Sequence, residues 1–297
     1  MAANGSYNSS NNVLTVTGDG LPSPVNSGTF PNANNSNTIT SYAFNHNFVY
    51  RGGSNTSDSG VVGLGAIGIA ANGVVFFNPS AGTDGSPPSG FSYVAAGIGS
   101  AVNYGEDSCG GYPESSGQYR YNDSDFIDCW NANQVMAGYN DYYGSSQYNG
   151  DNIRHPDGHS KIIGYSFDGY PVYGPYGYTD ANDNTTPVIR MSSGWTVRTQ
   201  EAPGRPAYDT TYPAGVFMED YEYTGGTGKL DTHNGRHCVT PEYPSGTFAY
   251  FLTEDNSGNP VFPFMMGLTS KEAMVVPAND GFTQTAPPTD DLSLIHI

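Results

Sequence analysis

Seven ionisable side chains fall in two stretches that could share chemistry: His155, Asp157, His159 and Asp168 in the first, and Asp231, His233 and His237 in the second. Imidazole nitrogens and carboxylate oxygens are donors that a borderline divalent cation accepts, and imidazole also exchanges protons near neutral pH. Gathered at one centre, His159, Asp168 and His233, with Asp231 beside them, would be enough to hold such a cation. His155 and His159 are four residues apart, the spacing of one helix face, but Pro156 and Gly158 argue against a helix and leave a turn as the way to converge them. A competing reading needs no ion, because Asp157-Gly158 and Asp168-Gly169 are turn-forming pairs in their own right.

Nucleophilic hydrolysis finds little support. The chain has no G-x-S-x-G elbow, no H-E-x-x-H pair and no phosphate-binding glycine loop. His237 and Cys238 are neighbours, and neighbours on a strand point to opposite faces, so they make no dyad. Paired carboxylates such as Asp123/Asp125 and Glu219/Asp220 read equally as solvated turns. No catalytic residue is assigned. Carbohydrate contact is chemically easier, since exposed tyrosines and Trp130 or Trp195 can stack on sugar rings.

The elements that must position these groups are short strands. Asp168-Gly169 between apolar runs is a strong hairpin signal, with Ile162, Ile163, Tyr165 and Phe167 on one arm and Tyr170 to Tyr173 on the other. This hairpin is expected inside the sheet, packed against GVVFF and against a last buried strand at Val261 to Met266. Asn72-Gly73 signals a second hairpin, joining Ile67–Ile69 to Val74–Phe77, and Asn234-Gly235 a turn before a strand at Thr247 to Leu252. Asp123-Ser124-Asp125 precedes one short helix, about Phe126 to Tyr139. His46, between two asparagines, reads as an exposed strand histidine. The fold class is mainly β: a single β-rich domain of hairpin-connected short strands with long loops and that one helix.

Composition sets the boundaries. With 39 glycines, 21 prolines and 23 tyrosines in 297 residues, the chain is rich in turns. Ten Lys and Arg against 28 Asp and Glu give a net charge of −18, which argues against nucleic acid and suits a salty medium. No window reaches the ~20 apolar residues of a membrane span. Residues 1–37 read as a flexible arm with one edge strand, 38–285 as the domain with an irregular insertion at 179–223, and 286–297 as a disordered tail. The final LSLIHI resembles translated adapter read-through, so 292–297 are set aside. Of Cys109, Cys129 and Cys238, none forms a CxxC pair; a Cys109–Cys129 disulfide and three reduced thiols both remain open.

Four ordered blocks resemble the YHYH domain family: GVVFFNPSAG (73–82), GQYRYND (117–123), HSKIIGYSFDGYPVYGP (159–175) and LDTHNGRHCVTPEYPSGTFAYFLT (230–253). The third follows the family's H-S-x-x-x-G-x-x-x-D-G-x-P-x-Y-G, and the order is similar to that of YHYH proteins in marine cyanophages. The resemblance implies that two histidines of a Tyr-His-Tyr-His segment share a strand face and could hold a metal or move a proton. Here that segment is Tyr119, Arg120, Tyr121 and Asn122, so neither histidine is present and the role is not carried over. Tyr119 and Tyr121 are then expected to line a pocket with His155, His159, Asp168, Asp231 and His233, and Arg120 to pair with a carboxylate.

The expected function is a non-enzymatic structural protein of a virion or surface, tail-associated, contacting carbohydrate or another virion protein. It would be made in host cytoplasm, since no secretory signal is visible, and would act in the virion or outside the cell. The alternative is a secreted metal-binding protein or metal-dependent enzyme using a divalent cation.

Overall fold

The computed structural model describes residues 4–22, 28–56, 59–82, 84–95, 102–127, 129, 154–225 and 229–275. Strands β1 (Asn4–Asn8), β2 (Val13–Gly18) and β3 (Phe44–Val49) form a three-stranded antiparallel sheet. Next come β4 (Gly60–Val61), β5 (Ala66–Ala70), β6 (Val75–Phe77), β7 (Gly111–Pro113) and β8 (Tyr119–Tyr121). The central pair is β9 (Ile162–Ser166) and β10 (Pro171–Tyr173), followed by β11 (Tyr176–Tyr178) and β12 (Val188–Arg190). The chain continues through β13 (Trp195–Val197), β14 (Tyr221–Tyr223), β15 (Gly235–Cys238), β16 (Thr247–Phe251) and β17 (Thr269–Ser270).

Eight of these strands make the main sheet, in the order β15-β16-β10-β9-β5-β6-β8-β7. The pairs β10/β16 and β6/β8 are parallel, and the others are antiparallel. The mainly β expectation holds: no helix of seven or more residues occurs among the described residues. None is long and apolar enough to cross a membrane. Of the expected helix, Phe126 and Ile127 are helical and buried, while residue 128 and residues 130–139 lie outside the described residues.

The β9–β10 hairpin sits in the middle of the sheet, and both Ile163 and Phe167 are buried. Its neighbour is β5, which separates it from β6. Close packing still links them, because a Cβ at Gly164 would lie 2.7 Å from Phe76 Cε2 and 2.4 Å from the Ile69 carbonyl oxygen. A side chain there would push the two strands apart. At the turn, Gly169 has φ +94°, the left-handed region that glycine enters without strain.

Three expectations need correction. Residues 261–266 form a turn rather than a strand, since Pro263 cannot donate to a ladder and Phe264 has φ +68°. Met265 and Met266 still join the main core, and Phe262 and Phe264 pack with Trp195, Met218 and Tyr221. His46 is buried, stacked on Phe44 at 4.7 Å and facing Phe167 at 5.8 Å, because alternate residues of β3 turn inward. The N-terminal residues contribute two strands where one was expected, and Leu14 and Val16 enter the main core.

Residues 179–223, expected to be irregular, carry β12, β13 and β14 and are tightly braced. Arg205 and Asp220 form a fully buried fork, with Arg205 Nη2 donating to Asp220 Oδ2 at 2.8 Å. The Pro206 carbonyl accepts from Arg205 Nη1, the Tyr212 and Pro213 carbonyls accept from Nη2, and the Gly215 and Phe217 amides donate to Asp220. A buried ion pair is stable only when its hydrogen-bonding capacity is filled in this way.

Candidate functional site

The polar centre that the structure assembles lies at the start of β9. The HPDG turn brings His155 N–H to the His159 carbonyl at 2.8 Å, and Arg154 bridges Ser160 across the loop. His155 Nε2 donates to Glu242 Oε1 at 2.7 Å, while Tyr173 donates to Glu242 Oε2 at 3.0 Å and shares a hydrogen bond with Thr240. Asp157 Oδ2 accepts the Tyr178 hydroxyl at 2.5 Å, and its Oδ1 accepts the His159 amide at 3.0 Å. Burial alone would raise the Asp157 carboxyl, but these two donors outweigh it and hold the group below its usual range.

His159 is fully buried among Tyr178, Tyr173 and Phe251, with ring centroids at 4.7, 5.4 and 6.1 Å. Its Nδ1–H donates to the Ser160 carbonyl at 2.7 Å, and Nε2 has no hydrogen-bond partner among the described residues. Burial lowers its pKa below the ordinary imidazole value.

Asp168 and His233 belong to other networks. β9 separates His159 from Asp168, and at ~3.3 Å per residue it spans about 13 Å, far beyond two ~2 Å ligand bonds. Asp168 accepts Tyr250 Oη–H at 2.6 Å and Glu272 N–H at 3.2 Å, along with the Ser166 hydroxyl and the Tyr170 amide. Burial raises its pKa despite these four donors. His233 Nδ1 shares a 2.7 Å hydrogen bond with Thr269 Oγ1, and Asp231 closes its turn by accepting the His233 and Gly235 amides. Burial also raises Asp231. Among the described residues, no three His, Cys, Asp or Glu side chains are grouped to hold a metal ion. The structure therefore does not bring His159, Asp168 and His233 to one centre.

The Tyr119-Arg120-Tyr121 segment is also remote from His159. Strand β8 lies four steps from β10 in the sheet, about 19 Å at ~4.8 Å per strand. Tyr119 donates to Asp107 at 2.7 Å, and Tyr121 accepts from Asn72 at 3.0 Å and stacks on Phe126 at 4.5 Å. Arg120 does pair with a carboxylate, Glu114 at 2.6 Å, and its guanidinium lies over Phe77 at 4.2 Å and Tyr112 at 4.5 Å. Beside this segment Cys109 and Cys129 form a disulfide with Cα atoms 5.8 Å apart. Cys238 is buried without a disulfide, and burial pushes its thiol up to about 11.

Glu242, Tyr173 and Tyr178 are the site residues that sequence reasoning missed. Glu242 sits between prolines in TPEYP and reads as a solvated turn, although it lies inside a family-like block. That block membership was the available signal.

No curated protein and no solved structure matches the chain. The family described as YHYH protein matches residues 45–263, well over half of its length, and the chain belongs to that family.

Proposed function

We propose that this YHYH protein is a non-enzymatic structural component of a virion or cell surface, tail-associated in the viral case, contacting another particle protein or carbohydrate. The observation that carries this reading is how the polar residues of the family-like blocks are used. Asp168 braces the central turn through Tyr250, Asp231 and Asn234 shape the turn into β15, and Tyr119 and Tyr121 brace β8 from within the core. Groups committed to internal hydrogen bonds hold a fold rigid, which is what a particle component needs. The Cys109–Cys129 disulfide supports a life in an oxidising medium, and the net charge of −18 supports one rich in salt. The alternative, a secreted metal-binding protein or metal-dependent enzyme, shares the disulfide but needs a ligand cluster, and among the described residues no three His, Cys, Asp or Glu side chains are grouped for one.

The test is mass spectrometry of purified particles and of surface-shaved cells carrying the gene. Peptides of this chain at stoichiometric abundance beside known structural proteins are expected. Its confinement to a soluble cytoplasmic fraction would overturn the proposal.

A further inference from the structure

The loop from Arg154 to Ser160 is closed at its ends, where both end residues also meet Tyr176, and three side chains between them fasten it to the rest of the fold. His155 reaches Glu242 in the connection between β15 and β16, Asp157 holds Tyr178 of β11, and the His159 ring is wedged among Tyr173 of β10, Tyr178 and Phe251 of β16. The first two fastenings lie near the surface, and the third is fully buried.

The third fastening exists in one protonation state. The Ser160 carbonyl can only accept, so Nδ1 carries the imidazole proton and Nε2 presents a lone pair. Among the described residues no donor meets that lone pair and no acceptor stands ready for a proton placed there. A second proton would leave a charged N–H unpaired among aromatic rings, which the loop can relieve only by letting water in.

We propose that residues 154–160 form an acid-operated clasp, in which protonation of His159 at Nε2 releases the loop from the sheet and uncovers Tyr173, Tyr178 and Phe251. The groups facing His159 pull in both directions. Asp157 on the same loop and Glu242 from the β15–β16 connection favour its protonation, His155 opposes it, and the Tyr173 and Tyr178 hydroxyls are committed to Glu242 and Asp157. Burial outweighs the two carboxylates. The closed loop thus binds fewer protons than the open one, so closure is favoured above the ordinary imidazole pKa of ~6.5 and is lost as pH falls below it. The proposal is independent of which particle or surface carries the chain.

Hydrogen exchange on the full chain tests it. The Gly158 amide, bonded to the His155 carbonyl, and the Ser160 amide, bonded to the Tyr176 carbonyl, report closure. Corrected for intrinsic exchange, their protection should hold near pH ~7.5 and fall by up to about tenfold per pH unit below ~6.5, the slope for uptake of one proton. His159→Asn keeps a donor for the Ser160 carbonyl but does not titrate, and should abolish the response. His155→Gln keeps a donor for Glu242 and should preserve it. Unchanged wild-type protection, or an equal response in His159→Asn, would overturn the clasp. Should His159→Asn fail to fold, the imidazole resonances of the wild-type protein decide: loss of protection must follow the titration of His159, and a course following His155 contradicts the proposal.

Discussion

Tyr250 and Asp168 are joined by a 2.6 Å hydrogen bond from phenol to carboxylate, which ties β16 to the turn between β9 and β10 across a separation of 82 residues. The same hydroxyl accepts the Lys271 amide at 2.7 Å, so one buried oxygen links three segments of the fold. Tyr250→Phe removes that oxygen and leaves a buried carboxylate one donor short. A loss of about 1–3 kcal/mol is expected, read as a lower urea midpoint at unchanged slope. A midpoint within error of wild type would mean that water replaces the phenol at no cost.

Asp168 also gives a signed pH dependence. Burial raises its folded pKa above the unfolded value, so the folded state holds this proton more tightly. The resulting stabilisation is complete below the unfolded carboxyl pKa of ~3.9 and disappears as pH rises through the folded value. The stability of wild type relative to Asp168→Asn should therefore decline from acid toward neutral pH. A difference that grows with pH would reverse the assignment.

The Cys109–Cys129 disulfide closes a loop with a sequence separation of 20, for which chain entropy predicts about 3 kcal/mol. The double replacement Cys109→Ser, Cys129→Ser should lower the melting temperature to that of the reduced wild type. In the native oxidised protein, thiol reagents should find nothing that reacts quickly near pH ~8, since the Cys238 thiol is buried and raised. One thiol should appear on unfolding. A rapidly labelled native thiol would contradict this pairing.

The buried fork between Arg205 and Asp220 makes a stronger demand. Asp220→Ala leaves the Arg205 guanidinium buried and unpaired, at a cost of about 3–5 kcal/mol. Replacing both partners together with apolar residues should be far milder. Chemical denaturation of the single and double variants separates the two, and equal losses would show that the pair does not act as a unit.

The central hairpin was legible because Asp168-Gly169 and the flanking apolar residues are local signals, and local signals survive in any tertiary setting. The parallel pairings β10/β16 and β6/β8 were not legible, since nothing in a short strand names a partner far along the chain. His46 misled because its flanking asparagines are the outward half of an alternation whose inward half contains the histidine itself. The candidate site was half legible. His155, Asp157 and His159 do share the expected turn but reach different partners, Glu242, Tyr178 and a buried aromatic pocket, whereas Asp168 and His233 looked available only because the partners that occupy them, Tyr250 and Thr269, lie 82 and 36 residues away. Glu242 was missed for the same reason, since its role is defined by contacts with His155 and Tyr173 at separations of 87 and 69.

Asp168, Asp231 and His233 of the family-like blocks are each engaged in hydrogen bonds within the fold. Calorimetric titration of the full oxidised chain with zinc and with calcium, paired with melting curves in chelator, tests this most directly. Heats of dilution alone are expected, with the same melting temperature in the presence and absence of chelator, because a ligand that binds only the native state must stabilise it. Saturable, stoichiometric binding that raises the melting temperature and is abolished by both His159→Asn and His233→Gln would contradict that expectation.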